Sequence, residues 1–170
     1  MSTFEVPYGQ GRLTFALPGA LHVKVIEPAA VPGAQDPRSV VEAALDKLVG
    51  SVHWPDLAGA RSVAIAINDE TRPVPHEHLL PPLLARLEGL GLAPGAIRLL
   101  VASGAHPPMA TDRYAHIVPP EIAARYAISG HDADAGDLVH LGTTSRGTPV
   151  HVSRRFLAAC LLYTSDAADE

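Results

Sequence analysis

Cysteine is almost missing: of 170 residues only Cys160 is one. An internal disulfide needs two cysteines and a multi-cysteine metal site needs more, so both are excluded. No apolar run approaches the ~18 residues of a membrane helix. Met1 to Tyr8 has neither a basic n-region nor an apolar h-region, so no signal peptide is expected. Basic residues are not in excess: 13 Lys and Arg face 18 Asp and Glu, a formal charge of −5. A nucleic-acid binder would carry a basic stripe, so neither a nucleic-acid nor a membrane partner is expected. Gly9-Gln-Gly11 lacks the third glycine, the preceding buried strand and the following helix of a dinucleotide fingerprint. A phosphate-loop motif and a Gly-x-Ser-x-Gly elbow are absent as well. No internal repeat occurs, and the Pro/Ala bias reads as GC-rich coding. A soluble, cytoplasmic protein is the default expectation.

What remains is a chain with 47% apolar and 18% charged residues, enough to bury a core. Its length suits one ordinary domain or a piece of something larger. Phe4 to Tyr8, Arg12 to Leu17 and His22 to Ile26 are rich in β-formers and punctuated by Gly and Pro, which predicts a small antiparallel meander. Asp36 is a predicted N-cap with Pro37 at the first helical position. Val40, Val41, Ala44, Leu45 and Leu48 then share a helical face, and Gly50 can end the helix. Ser62 to Ile67 and Ile97 to Ala102 are continuous apolar runs of the kind found in parallel sheets. Between them Leu79, Leu80, Leu83, Leu84, Leu87 and Leu90 form a helical stripe, with the regular helix expected from about Pro81 because prolines disturb its start. Strand, helix and strand make a βαβ unit. Thr111 to His116 and Pro120 to Tyr126 are short helical candidates; Tyr126 to Ser129, Leu138 to Thr143 and Pro149 to Val152 are short strand candidates, the last leading into Arg154 to Ala159. The fold class is α/β: a Rossmann-like parallel-sheet domain after a small N-terminal β meander.

Ligands of open parallel sheets bind beyond the carboxyl ends of the strands. Two polar turns follow the two apolar runs, Asn68-Asp69-Glu70-Thr71-Arg72-Pro73 and Ser103-Gly104-Ala105-His106. If the strands are neighbours, a carboxylate (Asp69), a hydroxyl (Thr71), a guanidinium (Arg72) and an imidazole (His106) meet at one edge. Histidine can move a proton, and the planar fork of arginine suits a carboxylate or phosphate. Blander roles compete: Asp69 and Thr71 as turn capping, Arg72 as a surface partner of Asp69, His106 as an exposed or structural histidine. His76-Glu77-His78 is read as a solvated helix start, because i and i+2 do not share a helix face. His131 with Asp132 and Asp134 is read as a polar loop, and His116, His140 and His151 show no partner pattern.

Asp69-Glu-Thr-Arg-Pro-Val-Pro75 after a buried strand, a Leu-rich helix, then Leu100-Val-Ala-Ser-Gly-Ala-His106-Pro resembles the N-terminal domain of the nickel-dependent lactate racemase family. The opening Val6-Pro-Tyr-Gly9 with Leu17-Pro18 is similar to that family's start, and the resemblance spans most of residues 1–159. It implies a 2-hydroxyacid racemase or epimerase with a nickel pincer nucleotide, a pyridinium-3,5-bisthiocarboxylate mononucleotide, held between two domains. Hydride leaves C2 of the substrate for that group while a histidine takes the hydroxyl proton, and a second histidine serves the mirror-image substrate. By motif, His106 is implied as one catalytic histidine and Asp69, Glu70, Thr71 and Arg72 as the cofactor-contacting turn. The second histidine, the cofactor-anchoring lysine, the nickel-binding histidine and the whole C-terminal domain are expected beyond residue 159. Pro107-Pro108 stands where the family commonly has Arg-Pro, which leaves the identity of the hydroxyacid open.

Cys160 to Glu170, CLLYTSDAADE, resembles the translation of a sequencing-library transposase adapter. The expected organisation is thus a partial N-terminal domain over 1–159 and a non-native tail over 160–170. Three of the 18 acidic residues, Asp166, Asp169 and Glu170, lie in that tail; without it 15 acidic residues face 13 basic ones and the charge is −2. Alone, the chain is expected not to turn over, half of the site being elsewhere. The rival reading is a non-catalytic Rossmann-type module that binds a nucleotide or phosphate through Thr71 and Arg72, with His106 structural. A downstream histidine and a Gly-Arg-Lys-type segment in the uninterrupted gene would separate the two.

Overall fold

The computed structural model describes residues 2–164, in two compact units, Met1–Gly33 and Ala34–Glu170. In the first, β1 (Ser2–Tyr8) and β2 (Gly11–Leu17) form an antiparallel hairpin in continuous register from Ser2↔Leu17 to Tyr8↔Gly11. Two residues make the turn, and Gly9 takes its first position at φ +56°, which a side chain would disfavour. Phe4 and Phe15 are register partners with ring centroids 5.9 Å apart. The expected third strand at His22–Ile26 does not form. Leu21, Val23, Val25 and Ile26 are exposed there. A preference for extended backbone becomes a strand only when a neighbour supplies hydrogen bonds and one face is covered.

The second unit is built on a four-stranded parallel sheet in the order β5-β4-β3-β8, from β3 (Val63–Asn68), β4 (Ile97–Ala102), β5 (Ala127–Gly130) and β8 (Leu161–Thr164). Alternation along the two central strands separates the faces. Val63, Ile65 and Ile67 with Ile97, Leu99 and Val101 join one buried cluster with Leu45, Leu80, Leu83, Leu84, Leu87, Val118 and Ile122. That face is covered by α1 (Pro37–Asp46), α2 (His76–Gly89) and α3 (Pro120–Arg125). The opposite face carries Ala66 and Leu100, which line a cavity. An antiparallel hairpin, β6 (Leu138–Thr143) and β7 (Pro149–Ser153), leads into the single turn α4 (Arg154–Leu157).

Helix α1 begins as its sequence predicts: Asp36 caps it, accepting from the Ser39 amide at 3.2 Å, with Pro37 at the first position. It stops at Asp46, short of Gly50. Helix α2 departs from expectation, running from His76 straight through Pro81 and Pro82. The two rings deprive the Glu77 and His78 carbonyls of their amide donors. The first turn is held instead by Pro75 oxygen, which accepts from the amides of His78 and Leu79, and by burial of Leu80, Pro82, Leu83 and Leu84. The segment Leu161–Thr164, placed in the non-native tail by the sequence reading, lies along β3 in the register Val63↔Leu161. An open sheet edge accepts an extended apolar segment of any origin, so the pairing reflects the edge and the β-forming residues Leu-Leu-Tyr-Thr.

His76 is the second correction at this helix. It is 1% exposed, not solvated, and its Nδ1 donates to the Ile117 carbonyl at 2.9 Å. Burial holds its pKa below the ordinary 6.5, more than the Ile117 carbonyl and Glu77 restore. The imidazole is therefore neutral, and its Nε2 has no protein partner among the described residues. Because the folded value lies below the unfolded one, the unfolded chain takes up a proton first as pH falls through 6.5. Stability is expected to be fully present above that pH and to decline below it, down to the lowered folded value. His76→Ala should cost about 2–4 kcal/mol, leaving a cavity and an unpaired carbonyl. Urea unfolding of both forms from pH 7.5 to pH 5 checks this; an equally steep decline in the variant would refute the assignment.

Candidate active site

The register of β3 against β4 ends with Asn68 beside Ala102, so the two turns that follow leave the sheet at one level. Adjacent strands are about 4.8 Å apart, which brings Asp69 and Ser103 into the same neighbourhood. The first turn is organised by Asp69. One of its oxygens accepts from the Thr71 amide at 3.0 Å and from the Thr71 hydroxyl, while the Arg72 amide donates to the Asp69 carbonyl at 3.3 Å. In the second turn the His106 amide donates to Ser103 oxygen at 3.0 Å. Gly104 occupies its first central position at φ +59°, a conformation a side chain would strain.

These turns put the His106 imidazole against Asp69, with Nδ1 3.4 Å from the free carboxylate oxygen. The contact is long for a hydrogen bond. The Asp69 side chain is 9% exposed and that of His106 62%, so an anchored carboxylate backs an imidazole open to solvent. Burial pushes the Asp69 pKa up, but the Thr71 hydroxyl and amide and then His106 outweigh it, and the net value lies below the ordinary 3.8. An ionised carboxylate only accepts, so Nδ1 donates and Nε2 keeps its lone pair.

Asp69, Thr71, Arg72 and His106 all line a cavity of about 620 Å³. Its floor is Ala66 and Leu100, and its far wall is His151, Val152, Ser153 and Phe156. Glu70 is turned out of it and pairs with Arg113 at 2.6 Å. Further polar residues that were not expected as site residues line it too, among them Ser103, His131 and His151. His131 follows β5, the next parallel strand, and its amide donates to Val101 oxygen at 2.9 Å. Applying the strand-end rule to β5 would have found it. His151 arrives on a hairpin with no signal in its own neighbourhood. Among the described residues no three or more His, Cys, Asp or Glu cluster to hold a metal, and no helix is long and apolar enough to cross a membrane.

The cavity can accept a small molecule with an anionic group beside Arg72. Its size lies in the range of small-molecule sites. Arg72 lines it, as does Thr71, whose hydroxyl donates to Asp69, and the Ser103 hydroxyl is buried without a hydrogen-bond partner among the described residues. Gly104 leaves open space where a side chain would stand. Such groups fit a phosphate-bearing cofactor.

An open parallel sheet with convergent polar turns at its carboxyl edge places the domain in the α/β class, whose ligands bind at that edge. Within that class, the sequence profile of the lactate racemase N-terminal domain matches residues 8–165. The chain belongs to that family. Its relatives include the lactate racemase of Thermoanaerobacterium thermosaccharolyticum, 32% identical over 112 residues, covering 62% of this chain and 25% of that protein. The lactate racemase of Lactiplantibacillus plantarum is 29% identical over 167 residues, 95% of this chain and 39% of the relative. The structure of the lactate racemase apoprotein from T. thermosaccharolyticum superposes with a TM-score of 0.79 at 24% identity, covering 96% of this chain and 38% of that one. The chain thus spans about two fifths or less of the length of these relatives.

Proposed function

We propose that this chain is the N-terminal part of a 2-hydroxyacid racemase or epimerase of the lactate racemase type, an isomerase using a nickel pincer nucleotide. The observation that carries the reading is the pair of turns after β3 and β4, where buried Asp69 backs the solvent-open imidazole of His106 beside Arg72. In this reading His106 Nε2 takes the proton from the substrate hydroxyl and returns it. Asp69 fixes the tautomer that makes Nε2 the base and stabilises the imidazolium once it forms. Arg72 faces an anionic group, the substrate carboxylate or a phosphate. Thr71 and Arg72 are the side chains of the 69–72 turn suited to hold the cofactor, with Asp69 bracing the turn and Glu70 tying it to Arg113. When bound, the nickel pincer nucleotide supplies the acceptor for the hydride from C2. The remainder of the site, including a second histidine for the opposite enantiomer, is assigned to a further domain of the same protein, and the 170-residue chain alone is expected to be inactive.

The test is made on the full-length parent carrying its cofactor. Exchange of D and L forms of a small 2-hydroxyacid is expected. No interconversion with any 2-hydroxyacid, together with tight binding of a mononucleotide, would favour the non-catalytic binding module.

A further inference from the structure

We propose that His140 and His151 on the β6–β7 hairpin form a two-histidine site for a divalent first-row transition ion. The two are register partners on antiparallel strands, so their side chains leave the same face of the hairpin. Their ring centroids are 5.0 Å apart, with planes tilted by 40°. Both residues are exposed. No described residue forms a hydrogen bond or ion pair with either ring, so both are free to turn their nitrogens toward a shared ligand.

The spacing suits one ion. A metal–nitrogen distance of about 2.0–2.1 Å, plus about 1.1 Å from nitrogen to ring centre, sets each ring centre about 3.2 Å from the ion. Two ligands at about 90° to 109° then have ring centres about 4.5 to 5.2 Å apart, which brackets the observed separation. The irregularity between His140 and Gly142 bends the strand next to the pair, as bulges do where a side chain is re-aimed. Imidazole pairs favour Cu2+, Ni2+ and Zn2+ over Mg2+ and Ca2+, with Cu2+ tightest. With no third protein ligand in reach among the described residues, solvent or a small anion completes the shell. Because His151 also lines the large cavity, the ion stands at the edge of that cleft.

Zn2+ is the probe, added to the 15N-labelled chain while imidazole nitrogens are followed by NMR. The expected result is that the His140 and His151 signals move together and saturate at one midpoint. In His140→Gln the His151 response is lost, and the reverse holds in His151→Gln. Both positions are on the surface, and an unchanged circular dichroism spectrum verifies the fold of each variant. A His151 response that survives His140→Gln overturns the proposal. So does a response that His151 shares with His106 or His131 rather than with His140, or Zn2+ shifts confined to other histidines.

Discussion

Replacing His106 by alanine in the full-length protein is expected to slow D/L interconversion by roughly 10²–10⁴-fold, the usual worth of one positioned proton-transfer group. Net interconversion must fall equally in both directions, because two enantiomers in water have an equilibrium constant of one. The asymmetry that identifies His106 as one of two histidines lies in the half-reaction. Single-turnover formation of the ketoacid from one enantiomer should be strongly slowed, and from the other much less. Rapid-quench measurements on each pure enantiomer check this. Equal, mild effects on both would remove His106 from the acid–base role, leaving it a structural residue of the turn. The side chain is largely exposed, so the substitution opens no core cavity and the fold should persist.

Asp69→Asn is expected to be nearly as damaging, again roughly 10²–10⁴-fold in kcat, with KM little changed. The amide can donate where the carboxylate only accepts, so Nδ1 of His106 becomes the acceptor and Nε2 carries the proton: the wrong tautomer for a base. Asp69 also supports the fold. Its pKa is held below 3.8, so its contribution is fully present above the ordinary carboxylate range and is lost as pH falls through the lowered value. Asp69→Asn should remove that part of the acid sensitivity. Paired measurements separate the roles: turnover at neutral pH, and thermal unfolding from pH 7 to pH 3. A variant that loses stability yet keeps wild-type turnover would make Asp69 a turn brace and nothing more.

Much of the fold was legible because its signals are local. The runs at Val63–Asn68 and Ile97–Ala102 are largely apolar, as strands of a parallel sheet are, and the structure buries nine of their twelve residues, with Arg98 and Ala102 exposed. Asp36 and Pro37 marked a helix start through chemistry confined to four residues. Errors fell where distant partners decide. His22–Ile26 has strand-forming residues but no neighbouring strand. Helix α2 accommodates Pro81 and Pro82 because its leucines find the sheet. His76 can be buried because the Ile117 carbonyl, 41 residues away, accepts a hydrogen bond from its ring.

The same division runs through the site. Residue type and strand period are set within a few positions, so the amino-acid order alone puts a carboxylate, a hydroxyl, a guanidinium and an imidazole on polar turns that follow two apolar strands. The tertiary structure alone decided that Glu70 turns away to Arg113, that His131 and His151 join the cavity wall, and that His140 meets His151 across a hairpin. Those outcomes depend on the register and packing of segments tens of residues apart, where chain entropy is lost for contacts that no local pattern encodes.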